Sequence, residues 1–316
     1  MVTLKRLKSP EIENGTRIRF QVGYNLNNPW MYRLLGVLIF FVGYALYRWT
    51  KNTMTIQNQY PFGQVVHPLR QQDRTPKKVF VLGVYASAVH ARWKRNGKTV
   101  CTALAVASEP RIFWDGNIEE AKEIISKISI PKEAGTLEPA GCHLNGPSAK
   151  VLDEHILGTL GYTRKDAWLC DLLPETRLNS GQVKVITKRY NPLIEQYGLN
   201  KVTIPERPTV FCDAKRCEEI LQELKESQAK LLVLLGDIPI AQFLNSVVDV
   251  PYKSLQEYVE LYGYGKATTA TIDGHAINVL PLAHPRQIGA LGAHSEKWNR
   301  LHQEWEDNLL YYSHNS

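Results

Sequence analysis

The sequence predicts an α/β fold: a three-layer α/β/α sandwich around a mostly parallel central sheet of four to five strands. Three observations predict it. Short, nearly continuous apolar runs recur at 79–82, 167–173, 231–235 and 277–282. Runs of that length with no polar face read as strands buried on both sides. Between them lie segments with apolar residues at helical spacing, and strands that alternate with helices form a parallel sheet covered on both faces. Finally, two runs lead straight into loops of small and polar residues, VFVLGVYASAVHARW (79–93) and INVLPLAHPRQIGALG (277–292). In open α/β sheets the loops at the carboxyl ends of the strands meet in one ligand-binding crevice. Residues 83–90 and 284–292 should therefore face each other across a single site.

In chain order, residues 57–78 are a polar lead-in containing prolines. Strand 79–82 comes first. The small apolar run 102–107 is read as the second strand. Residues 118–128 form an amphipathic helix, 132–147 a loop rich in Gly and Pro, and 148–160 a helix with Ser148 as candidate N-cap. Strand 167–173 is third. Residues 212–228 make a charged amphipathic helix with Asp213 at its start. Strand 231–235 is fourth, followed by Gly236 and a helix near 239–245. Strand 277–282 is fifth, and 295–310 is a closing helix.

The net charge of +7 is unevenly spread. Residues 1–53 carry eight basic residues against Glu11 and Glu13, a net of +6, which leaves the remainder with 30 basic and 29 acidic residues, a net of +1. A nearly neutral main domain must meet nucleic acid through local patches and not through a global field. The chain therefore divides into a basic extension, 1–53, and an α/β domain, 54–316. The extension surrounds an apolar run, 34–47, bracketed by Arg33 and Arg48. Fourteen residues fall short of the roughly 20 that span a bilayer as a helix, although Trp30, Tyr32, Trp49 and snorkelling arginines extend the stretch. The run is a candidate membrane anchor on a cytoplasmic catalytic domain. The competing expectations are an extension outside the working domain or a functional start at Met54. Five cysteines, with no C-x-x-C pair, fit a reduced compartment better than a disulfide scaffold.

The two strand–loop segments together resemble the signature motifs of the uracil-DNA glycosylase superfamily. There, the first strand ends in a G-x-x-x-x loop, here Gly83, Val84, Tyr85 onward, and a later strand ends in a His-Pro loop, here His284 and Pro285. The resemblance covers most of the chain from Lys77. It implies a DNA-binding, monomeric enzyme that takes the base out of the stack before cutting its N-glycosidic bond. It also implies that His284 donates to the departing base and that the residue ending the third strand, Asp171 in AWLCDLLP, reads the Watson–Crick edge. The alternatives are a strand–loop cap at His284 and a loop-amide cap at Asp171.

Several residues depart from the family pattern. The Asp or Asn that positions water is replaced by Tyr85. Ser87, His90, Glu109 and Asp115 are the candidates to activate water. The bulky Tyr that excludes C5-substituted bases is replaced by Ser87, which leaves room beside C5. The second strand offers no aromatic to stack on the base, so Tyr85, Phe113 or Trp114 must supply it or else serve as core anchors. An ionised Asp171 only accepts hydrogen bonds, so it repels O4 of uracil and thymine but accepts a hydrogen bond from the cytosine amino group. Arg92 with Lys94, Arg95 and Lys98, and Arg177 with Lys184, Lys188 and Arg189, are candidate phosphate contacts. Arg286, Gln287 and Leu291 stand where the family places its small residue and its minor-groove wedge.

The expectation is a monofunctional glycosylase for a 5-substituted cytosine, such as the glucosylated hydroxymethylcytosine of some phages, with a role in antiviral defence. Uracil excision in repair is the alternative within the class. A hydrolase of free nucleosides and a catalytically inactive DNA- or membrane-binding module are the alternatives outside it. No metal or cofactor is implied: the first loop lacks the Lys-Ser/Thr of a P-loop, and no cluster has metal-ligand spacing.

Overall fold

The computed structural model describes residues 57–141, 143–289 and 295–314. The 34–47 run, Cys142 and Leu291 lie outside the described residues. Residues 57–316 group into one compact unit.

A five-stranded sheet forms its centre. Strands β1 (Val79–Tyr85), β5 (Ala167–Leu173), β6 (Leu231–Leu235) and β8 (His275–Leu282) are parallel, and β7 (Thr268–Ile272) adds an antiparallel edge, in the order β5-β1-β6-β8-β7. Six of seven residues in β1 and in β5 are buried. Because side chains alternate across a strand, burial of consecutive residues means that both faces are covered, as a layered α/β arrangement requires. Helix α4 (Ala214–Ser227) packs Cys217, Ile220 and Leu224 into the main core, and Asp213 caps it by accepting from the Arg216 amide at 2.8 Å. Helix α2 (Pro147–Val151) and the turns that continue it bring Leu152 and Ile156 to the same core.

The run 102–107 is not a strand of this sheet. It lies within β3 (Lys98–Ser108), which pairs antiparallel with β2 (Ala88–Arg95), and β4 (Thr136–Pro139) completes a separate three-stranded sheet in the order β3-β2-β4. The reason lies in the connections. β1 runs to Tyr85, and only Ala86 and Ser87 precede β2, whereas a parallel crossover needs a dozen or more residues. β2 and β3 are then joined by Asn96 (φ 48°) and Gly97 (φ 71°), the positive-φ pair of a tight hairpin. The expected loop 83–90 is thus a two-residue joint between sheets. The expected loop 132–147 contains β4, and the helix expected from Ser148 begins at Pro147 with Gly146 as its cap. The second sheet has its own core around Trp93, Trp114, Tyr60 and Tyr190.

Among the described residues no helix is long and apolar enough to cross a membrane.

Candidate active site

From β1 the chain places β5 on one side and β6 on the other. At such a reversal the loops beyond the strand ends part and leave a crevice. The β1–β5 register pairs Gly83 with Asp171 and Tyr85 with Leu173. Gly83 and Tyr85 share one face, while Val84 turns into the main core. A Cβ at Gly83 would lie 2.3 Å from Asp171 Oδ1 and 2.9 Å from Phe113 Cζ. Glycine therefore permits the carboxylate and the aromatic ring to meet over β1. Phe113 holds φ at 48°, a conformation that costs a non-glycine residue about 1–3 kcal/mol. Arg164 secures it by donating to the Phe113 carbonyl, and Asp153 fixes Arg164 through Nε at 2.7 Å.

Two acids sit here. Asp171 and Glu109 are each 5% exposed. No hydrogen bond reaches the Asp171 carboxylate among the described residues, and burial pushes its pKa up to about 7, opposed by the charge of Arg216. Arg216 does not pair with that carboxylate; it donates to the backbone carbonyls of Asp171 (2.7 Å) and Leu172 (3.1 Å). Burial, followed by the charge of Asp171, pushes Glu109 up to about 8, against hydrogen bonds from the Trp114 amide and Ser87 and the charge of Arg164.

His284 enters from the far side of the sheet, after β8, as the N-cap of α6 (Pro285–Ile288). Its Nδ1 accepts from the Arg286 amide at 3.1 Å, while Gln287 Oε1 accepts from the His284 amide at 3.2 Å. An Nδ1 that accepts is unprotonated, so the neutral ring carries its proton on Nε2 and presents a donor. Burial, then the charges of Arg286 and Arg207, hold the pKa down to about 4. His284 as a residue is half-buried. The cap and the donor are thus one arrangement, because the cap selects the tautomer.

A hydrogen-bond chain ties the rim together. Tyr60 Oη donates to Thr176 Oγ1 at 2.6 Å, Thr176 Oγ1 donates to the Ser87 carbonyl at 2.7 Å, and the Ala86 amide donates to the Leu173 carbonyl at 3.2 Å. Tyr60 Oη also lies 3.3 Å from Ser108 Oγ, which joins the ends of β1, β3 and β5. Tyr85 stacks on Phe211 with ring centroids 6.1 Å apart, and the Arg207 guanidinium lies 5.6 Å from the Tyr85 ring.

The crevice therefore gathers Gly83, Tyr85, Ser87, Phe113 and Asp171, with His284 and Arg286 on its β8 side. Others are placed elsewhere. Trp114 is fully buried in the second core, with Nε1 donating to Glu120 at 2.6 Å, so its ring presents no open face. Val84 is a core residue, and only its backbone borders the site. Gln287 is turned back onto the His284 amide. Arg92 lies in β2, four residues past Ala88 and so about 13 Å along a strand leading away. Among the four water-activating candidates, Asp115 pairs with Arg111 at 2.7 Å and His90 Nε2 meets Gln182 at 3.1 Å in the second sheet; Glu109 and Ser87 remain beside Asp171. Arg207 and Phe211 were missed, because the loop NKVTIPERPTVF has no periodicity to single them out. Among the described residues no group of three His, Cys, Asp or Glu side chains could hold a metal ion.

No family model matches the chain, and no curated protein matches it.

Proposed function

We propose that the crevice is the base pocket of a monofunctional DNA glycosylase. The observation that carries this reading is the pairing of a neutral His284, whose Nε2–H is fixed by its own cap, with a buried, unpartnered Asp171 under the Phe113 ring. Breaking an N-glycosidic bond leaves negative charge on the departing base, and a preorganised donor at that anion contributes ~3–4 kcal/mol. A neutral imidazole suits the role, since it donates without already being an ion. Phe113 supplies the stacking face that an extruded base needs. Asp171 supplies the edge contact, and the small, exposed Ser87 leaves space for a C5 substituent. Glu109, deep beside both, is the candidate to orient water. The exposed guanidinium groups of Arg286 and Arg207 at the mouth suit phosphates. The preferred substrate is a 5-substituted cytosine such as glucosylated hydroxymethylcytosine, which fits a role against phage DNA; uracil is the competing base. The test is incubation of the full chain with oligonucleotides carrying uracil, cytosine, hydroxymethylcytosine or its glucosides, followed by an assay for abasic sites. Abasic sites from none of them would refute the proposal.

A further inference from the structure

The loop that carries Arg207 is pinned at both ends. Pro205 and Pro208 bracket Glu206 and Arg207, and a proline restricts both its own φ and the residue before it. The Leu178 amide donates to the Pro205 carbonyl at 3.0 Å, and the Arg207 amide donates to the Leu178 carbonyl at 3.1 Å. Gln242, in the helical turns after β6, spends its whole side-chain amide on the other end of the loop. Its Nε2 donates to the Thr209 carbonyl at 2.9 Å, and its Oε1 accepts from the Phe211 amide at 2.6 Å. Arg207 itself is exposed. Its guanidinium lies 5.6 Å from the Tyr85 ring centre and 5.9 Å from that of Phe211, over two stacked rings inclined by 24°. Phe211 is buried in the main core and Tyr85 is half-buried, so the rings are an anchored surface. Among the described residues the guanidinium meets no carboxylate and makes no hydrogen bond. Its charge reaches the Tyr85 hydroxyl and the His284 ring, which places it beside the pocket. A guanidinium held on aromatic rings with no anion of its own keeps a delocalised plane and its donors available.

We infer that Arg207, laid on Tyr85 and Phe211, is a stacking platform for the nucleobase next to the extruded one, so that the crevice takes a nucleic-acid strand and not a free nucleoside. The inference rests on the glycosylase reading in taking an extruded base as the occupant of the pocket. Every nucleobase has a π face, and a guanidinium plane stacks on it much as an aromatic ring does. The N–H edges of the same group stay free for the phosphate between the two nucleotides. The loop is already fixed by Leu178 and Gln242, so little further ordering is needed when the strand arrives. A free nucleoside fills the base pocket alone and leaves the platform uncovered.

The test measures binding of single-stranded oligonucleotides to the full-length protein. Each carries one uracil or one 5-hydroxymethylcytosine on a 2′-fluoro sugar, which resists glycosidic cleavage. In matched strands the nucleotide on the 5′ side, or that on the 3′ side, is replaced by a tetrahydrofuran residue, which keeps the phosphates and lacks the base. The expected result is that loss of the base on one of the two sides weakens binding at least about tenfold. Arg207→Lys keeps the charge and loses the plane. It should remove most of that penalty while the dependence of binding on salt stays as in the wild type. A penalty under about threefold on both sides in the wild-type chain would overturn the inference. So would an Arg207→Lys chain that keeps the wild-type penalty, since the group would then act only as a charge. Either result leaves the glycosylase reading standing if oligonucleotides with ordinary sugars still acquire abasic sites. The tenfold penalty without excision of any base would remove the glycosylase reading and keep the platform as a strand-binding site. No binding of any oligonucleotide would remove both. The deciding ratio is read on the wild-type chain, so a variant that fails to fold leaves the test intact.

Discussion

At the scale of single residues, His284 combines two duties that substitution separates. His284→Ala removes both the cap and the Nε2 donor. Loss of a cap costs about 1 kcal/mol, and loss of the donor should cut excision by roughly a hundredfold or more. His284→Asn retains an acceptor for the Arg286 amide but places no donor where Nε2 stands. It should therefore melt close to wild type and excise as poorly as the alanine variant. An asparagine variant that keeps normal excision rates would take the imidazole out of the mechanism. Gly83→Ala tests the opposing face. Its Cβ would enter the space shared by Asp171 Oδ1 and the Phe113 ring, and such overpacking costs typically 1–3 kcal/mol. Melting temperature and oligonucleotide affinity should both fall. An alanine variant that binds normally would show that the ring and the carboxylate need not meet over β1.

At the scale of elements, Tyr60 links three strand ends through Thr176 and Ser108. Tyr60→Phe should cost about 1 kcal/mol for the lost hydrogen bond, and more for a Thr176 hydroxyl left without its donor. The consequence for function is looser placement of Ser87, read as a weaker preference between bases with and without a C5 group. The parallel strands and α4 were legible in the sequence because deep burial on both faces leaves an apolar run and the Asp213 cap leaves a local signal. His284 and Asp171 were legible for the same reason: each ends a strand that could be read. The second sheet was not read. β2 mixes His90, Arg92 and Lys94 with buried Ala91 and Trp93, and β4 is only four residues long. The hairpin turns did leave marks, Asn96–Gly97 and Asp273–Gly274, both at positive φ, and these dipeptides are the strongest short-range hairpin signals. Arg207, Phe211 and the proximity of Glu109 to Asp171 depend on long-range placement that no local pattern carries.

At the scale of the whole molecule, buried titratable groups give stability a definite pH dependence. Glu109 and Asp171 hold protons in the fold that the unfolded chain releases above about pH 4. The native state then binds more protons, and stability falls as pH rises toward about 7 and 8. His284 and His90, each held down to about 4 by burial, act in the opposite sense: the unfolded chain takes up protons below about 6.5, so stability is lost as pH falls from there toward 4. The two effects oppose one another below about 6.5 and leave the carboxyl effect alone above it. Melting temperature should therefore decline between about pH 6.5 and 8.5, with a shallower decline in Glu109→Gln. A rise over that interval would show that the acids are ionised in the fold. If the 34–47 run is an anchor, the full chain should pellet with membranes and resist salt extraction, while residues 54–316 should be released with base excision intact. A full chain that remains in the supernatant would count against an anchor at 34–47.

The register of β1 has a consequence in time. Val79 pairs with Ala167 on one side and with Leu231 on the other, and His284 arrives only with the last strand of the sheet. Contacts between such distant segments slow folding, since chain entropy is lost before they form. On a ribosome, the first glycine of the crevice emerges some two hundred residues before its histidine, so a nascent chain can pair β1 with β5 and shelter Asp171 while it remains inert. Refolding from denaturant should show the same order. Helical signal and burial of Trp168 should return first, and activity should appear in a later, slower phase set by docking of β8.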